Sequence, residues 1–151
     1  MIDDRAGVSI VAVVLVVAVT VAAASTVAAV AVDPGDPAPV AVVGATASQS
    51  GEITLTHRAG EPLNPEELEL KLSIDGEPLA HQPPVPFFAA RGFAPGPTGA
   101  FNSAASDPLR PGGSTTFRIA PTNEPTPSAG STVRIRLWVD GQPVTDVTAT
   151  A

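Results

Sequence analysis

Apolar and polar side chains alternate along residues 68–74 and 132–139, which predicts two half-buried β-strands. Leu68, Leu70, Leu72 and Ile74 share one face, as do Val133, Ile135, Leu137 and Val139, while Lys71, Arg134 and Arg136 take the opposite one. Shorter apolar runs at 40–47, 52–57, 114–119 and 144–150 are cut by Gly, Pro, Asp and Asn and add four more strands. Ile53, Leu55, Phe117 and Ile119 follow the same two-residue period. Asp75-Gly76 and Asp140-Gly141 stand directly behind two of these strands, and Asp-Gly favours tight hairpin turns because both residues tolerate positive φ. The sequences around them share an order of apolar, Asp, Gly, polar, Pro, apolar, which reads as reused turn chemistry. Residues 80–111 are dense in Pro and Gly and predict a long loop or an irregular strand pair. Residues 40–151 are thus expected to form an all-β, antiparallel, immunoglobulin-like sandwich.

The amino-terminal part of the chain has no such alternation. From Ala6 to Val32 the chain runs 27 residues without a charge, more than the ~20 needed to cross a bilayer core. As a helix this run reaches roughly 40 Å, so a spanning helix would tilt or project. The expected state is a single transmembrane α-helix over 6–32, because lipid penalises an unpaired backbone far more than stiff valine side chains. Residues 1–5 would be a cytoplasmic leader. Arg5 before the run, with Asp33 and Asp36 after it, favours an amino terminus inside and a carboxyl terminus outside. Ala18, Ala22, Ser25, Ala28 and Ala29 recur at three- and four-residue steps and give a smooth face for helix packing. A cleaved secretory signal is the competing reading, since Ala22-Ala23-Ala24 and Ala29-Val30-Ala31 are small-x-small sites, although an h-region is normally ~7–15 residues. Pro34, Pro37 and Pro39 end the helix and make 33–39 a short, stiff linker.

Composition narrows the chemistry. The chain of 151 residues has no Cys and no Tyr, two His and one Trp, and its only lysine is Lys71. Disulfides, Cys-based zinc sites and cysteine nucleophiles are excluded. A net charge of −7 disfavours nucleic acid, whose binding depends on clustered Lys and Arg. No HExxH, Walker loop, GxSxG or dinucleotide fingerprint is present, so neither an enzyme nor a cofactor or metal site is expected. His57 reads as an exposed edge residue and His81 as a loop histidine. Glu66, Glu67 and Glu69 read as the solvated start of a strand, and Asp33 and Asp36 as turn residues. Phe87, Phe88, Phe93 and Phe101 are expected mainly to cap the sandwich, with an exposed sticky loop as the other reading. Residues 121–132 read as a polar surface loop. Trp138, on the face of Arg134 and Arg136, is a candidate for contact with a partner.

Asp3-Asp4-Arg5-Ala6-Gly7-Val8-Ser9, running straight into the apolar stretch, resembles the type III signal and hydrophobic segment of haloarchaeal type IV pilins and pilin-like proteins. The stretch from Ile53 to Leu63, the following strand ending in Asp-Gly, and Leu109-Arg110-Pro111-Gly112-Gly113-Ser114 are similar to elements of that family's β domains. Ser9-Ile10 stands where the family usually carries Ser-Pro, and the apolar run lacks the glutamate that bacterial pilins use to register subunits. The resemblance implies cleavage by a prepilin peptidase near Arg5, Ala6 and Gly7, with the helix retained in the membrane lipid. It further implies a cell-surface, adhesive subunit whose partners are itself or other pilin-like subunits, assembled into filaments through that helix. Seven of the eight basic residues are Arg and acids outnumber bases, which agrees with a halophilic source. A membrane-anchored or secreted sandwich that binds a partner outside the cell is the alternative.

Overall fold

The computed structural model describes residues 35–151, and residues 38–151 form one compact unit. Arg5, Ala6 and Gly7, the small residues Ala18, Ala22, Ser25, Ala28 and Ala29, and the apolar run that holds them lie outside the described residues. Among the described residues there is no α-helix, and no helix long and apolar enough to cross a membrane.

Seven strands are described: β1 (Ala41–Ala47), β2 (Glu52–Gly60), β3 (Leu68–Ile74), β4 (Glu77–Pro78), β5 (Ser114–Arg118), β6 (Thr132–Val139) and β7 (Gln142–Thr150). They form two antiparallel sheets, ordered β1-β2-β5 and β4-β3-β6-β7. β3 and β6 occupy the residues expected for them and pair from Leu68 opposite Val139 to Ile74 opposite Val133. Their inner faces are buried throughout, with Val133, Ile135 and Leu137 fully so. Ile53, Leu55, Phe117 and Ile119 are buried in the same core. β4 has no counterpart in the periodicity, because two residues are too few to show one. Its Pro78, which lacks a ladder donor, is tolerated because β4 is an edge strand.

Both Asp-Gly pairs make the turns their chemistry favours. Asp75 and Asp140 have φ of 50° and 49°, and Gly76 and Gly141 follow at 86° and 77°, so all four central positions are left-handed as a type I′ turn requires. Register is also repeated, with Ile74 opposite Glu77 and Val139 opposite Gln142. Asp75 makes a further contact, its carboxylate accepting from the Thr132 amide at 2.8 Å. Replacing Asp140 by Val should lower stability by about 1–2 kcal/mol, the cost of left-handed backbone for a residue with a full Cβ. Asp140→Asn should melt like the parent, and thermal denaturation of the two variants checks the turn type.

The connection between β4 and β5 is long and irregular, and it covers an edge that would otherwise be open. The Ala94 and Thr98 amides donate to the Arg118 and Thr116 carbonyls at 2.9 and 2.8 Å, so this segment lies along β5. Phe87, Phe93 and Phe101 are buried in it, and Phe93 and Phe101 lie 6.2 and 5.9 Å from Phe117 between ring centroids. The aromatics therefore extend the core beneath the loop. Phe88 departs from that pattern and is 57% exposed.

His57 corrects the edge-residue expectation, since it is 0% exposed. It shares a strand face with Ile53 and Leu55, and β2 continues past it to Gly60. There φ is 108° and a Cβ would meet the Val40 carbonyl oxygen at 2.2 Å. The glycine lets β2 close against the start of β1. His57 Nε2 donates to the Glu61 carbonyl at 2.7 Å, and its Nδ1 is buried with no hydrogen-bond partner.

Candidate functional site

The outer face of the larger sheet carries the most concentrated surface chemistry of the described residues. Cross-strand register places Glu69, Trp138 and Pro143 in one row and Lys71, Arg136 and Asp146 in the next, with Arg134 opposite Thr148 beyond. Because side chains alternate along a strand, residues two apart in each of β3 and β6 project on this same side. Lys71 Nζ lies 5.8 Å and Arg136 Cζ 5.3 Å from the Trp138 ring centroid. Both are inside the ~6 Å range in which the indole quadrupole attracts a cation.

The three cations of this face are not equivalent. Arg134 grips Asp146 in a bidentate pair, Nε donating to the two carboxylate oxygens at 2.9 and 3.2 Å while Nη2 holds one of them. The Arg134 hydrogen bond holds the Asp146 carboxyl below its usual range, and Asp146 in turn raises Arg134. Lys71 pairs with Glu69 at 3.0 Å. Among the described residues Arg136 is in no close ion pair; it lies over the indole and, from the position opposite Asp146, adds to the field that lowers that carboxyl. Three cations against two carboxylates leave one net positive charge, on a chain of −7. That surplus suits a single carboxylate and is too small for a polyanion.

A hollow of about 380 Å³ opens beside the indole, lined by Trp138, Arg134, Arg136, Pro143, Val144 and Asp146. It arises from a β-bulge: Leu137 faces Thr145 but Trp138 faces Pro143, so Val144 has no opposite residue. A bulge bends its strand and re-aims the side chains around it. This is the structural setting of Trp138, the residue expected from the sequence to contact a partner. Lys71 joins it only through the pairing of β3 with β6. Each strand's alternation marks Lys71 and Arg136 as outward, but nothing local says which strands are neighbours or in what register.

The remaining residues singled out in the sequence scatter. Glu66 and Glu67 are exposed on a single 3-10 turn (Pro65–Glu67), whose start Asn64 caps by accepting from the Glu66 amide at 3.2 Å. His81 sits in a loop, and no group of three or more metal-ligating side chains exists among the described residues. Of residues 121–132, all but Thr132, which begins β6, form a loop, and it is not wholly superficial, because Asn123 is fully buried. Its amide oxygen accepts from the His81 amide, and its amide nitrogen donates to the carbonyls of His81 and Gly92.

These features define a two-sheet, antiparallel β domain with an aromatic and cationic outer face. Compared with models of protein families and with curated protein sequences, the chain matches none.

Proposed function

We propose that this chain is a type IV pilin-like surface subunit, held in the cell membrane by the apolar helix of residues 6–32 and assembled into adhesive filaments through that helix. The observation that carries the reading is the uncharged 27-residue run behind Arg5, joined by a Pro-rich linker to a β domain that has its own core from residue 38 onward. A prepilin peptidase would remove the leader, membrane lipid would retain the helix, and the sandwich would face outward. An immunoglobulin-like reading of the sandwich is supported by its strand order: β2 neighbours β5 in one sheet and β3 neighbours β6 in the other. A membrane-anchored or secreted binding module is the second reading, favoured by the Trp138 face.

Amino-terminal mass spectrometry of the protein isolated from its own cells tests the proposal. A mature start at Ala6 or Gly7 supports prepilin-type processing, which leaves the whole apolar run on the protein. A start at Ser25 or Val32 refutes it in favour of secretion, and an intact Met1 refutes it in favour of an ordinary signal anchor. Replacing Arg5 and Ala6 with bulky apolar residues should block the first cut alone.

A further inference from the structure

We infer that the outer face of β3, β6 and β7 is a self-complementary docking surface for a second copy of this chain. The inference rests on the membrane-anchored reading above, which supplies the second copy at high local concentration. Two sheets that pack face to face keep their strands roughly aligned about 10 Å apart. A two-fold axis lying between them, perpendicular to the strands, inverts the order of rows along each strand.

Placed midway between the Glu69–Trp138 row and the Lys71–Arg136 row, that axis sets Glu69 of one copy opposite Lys71 of the other, and Trp138 opposite Arg136. Each pairing occurs twice, as an isologous interface requires. Arg136, which is in none of the close ion pairs of the face, thereby comes opposite the half-buried indole of its neighbour, and the Glu69–Lys71 pairs merge into a four-charge network. An axis through either row would set Glu69 against Glu69 or Lys71 against Lys71, so charge selects the register.

The face measures about 15 Å by 25 Å from strand spacing and rise. That is well short of the ~800 Å² per partner of a standard stable interface. Two free copies would separate. Copies confined to one membrane would associate, because tethering turns the contact into a local equilibrium.

The test uses the full chain reconstituted in lipid vesicles. An amine-reactive cross-linker of about 10 Å, the sheet separation, can join chains only at Lys71 or the amino termini, since Lys71 is the one lysine. The dyad puts the two Lys71 Cα atoms roughly 12 Å apart, so a Lys71-to-Lys71 product is expected. It can only be intermolecular. Emission from Trp138, the one tryptophan, should shift to the blue as the protein-to-lipid ratio rises. Glu69→Arg and Lys71→Glu each set like charges across the axis and should abolish the blue shift. Mixing the two variants should restore it, because each then offers the sign the other needs.

Absence of the Lys71 product, or a blue shift that survives in both single variants, overturns the inference. So does an emission shift that follows an added saccharide or peptide but not protein concentration. Disulfide formation by Ala22→Cys, in a chain that has no other cysteine, reports helix association separately. Helix cross-links without the Lys71 product leave the anchored reading standing and remove the docking face. A Lys71 product without helix cross-links leaves the docking face standing and removes helix-mediated assembly, with the membrane anchor untouched.

Discussion

Ile135→Asp should leave the β domain unfolded at room temperature. Ile135 is 0% exposed at the middle of β6, with Leu72 opposite it on β3 and Val147 on β7. The substitution forfeits roughly 1.5–3 kcal/mol of side-chain burial. It also puts a carboxyl into a layer whose buried polar residues are His57, Ser73, Thr115, Asn123 and Ser131, with no buried Lys or Arg among the described residues. An unpaired buried carboxylate costs several kcal/mol more. Against a total of about 5–15 kcal/mol the sum is enough to empty the native state. Circular dichroism should show no cooperative melt. Arg134→Ala, on the solvent side of the same strand, should keep the parental melting midpoint, because its pair with Asp146 is exposed. Equal melting of the two variants would mean that the faces of β6 have been exchanged.

Asn123→Leu should be the most damaging substitution among the loops, at about 3 kcal/mol or more. Leucine fills a similar volume but strands the His81 amide and the His81 carbonyl, while the Gly92 carbonyl keeps the Ala120 amide. Each buried polar group left without its partner costs about 1–3 kcal/mol. The packing leaves no room to rearrange, since a Cβ on Gly92 would come within 2.7 Å of the Asn123 amide nitrogen. Hydrogen exchange should show the segments around His81 and Gly92 losing protection while β3 and β6 keep theirs, because the central strands do not depend on this clamp. A variant that melts with the parent and exchanges like it would show that water satisfies these groups instead.

Two histidines and one asparagine show what kind of information local sequence carries. His57 lies at the third position of an inward-facing row after Ile53 and Leu55, so the alternation already pointed inside. Its chemistry, and the reading of the strand as ending at residue 57, pointed the other way. Periodicity was the better guide because a strand face is imposed by backbone geometry, whereas a histidine is buried or exposed according to one available carbonyl, here that of Glu61. Asn123 carried no comparable sign. Its three bonds reach 42 and 31 residues back along the chain, and a polar loop residue looks the same whether or not other loops close over it. His81, the loop histidine, is held through its backbone by that same asparagine.

By itself the sequence determined the strands with strong alternation, the two hairpin turns and the orientation of Trp138 away from the core. Each depends on interactions between residues a few positions apart: side-chain period, positive-φ tolerance, and the burial of an aliphatic face. Tertiary structure alone decided that β3 lies beside β6, that Lys71 and Arg136 meet over one indole, that a bulge opens a hollow at Val144, and that the segment after β4 seals the edge of β5. Apart from the bulge, which lies within one hairpin, those outcomes join residues 18 to 71 positions apart. They follow from which sheet pairing buries the most apolar surface without leaving backbone groups unpaired, a condition met by the whole chain and by no stretch of it alone.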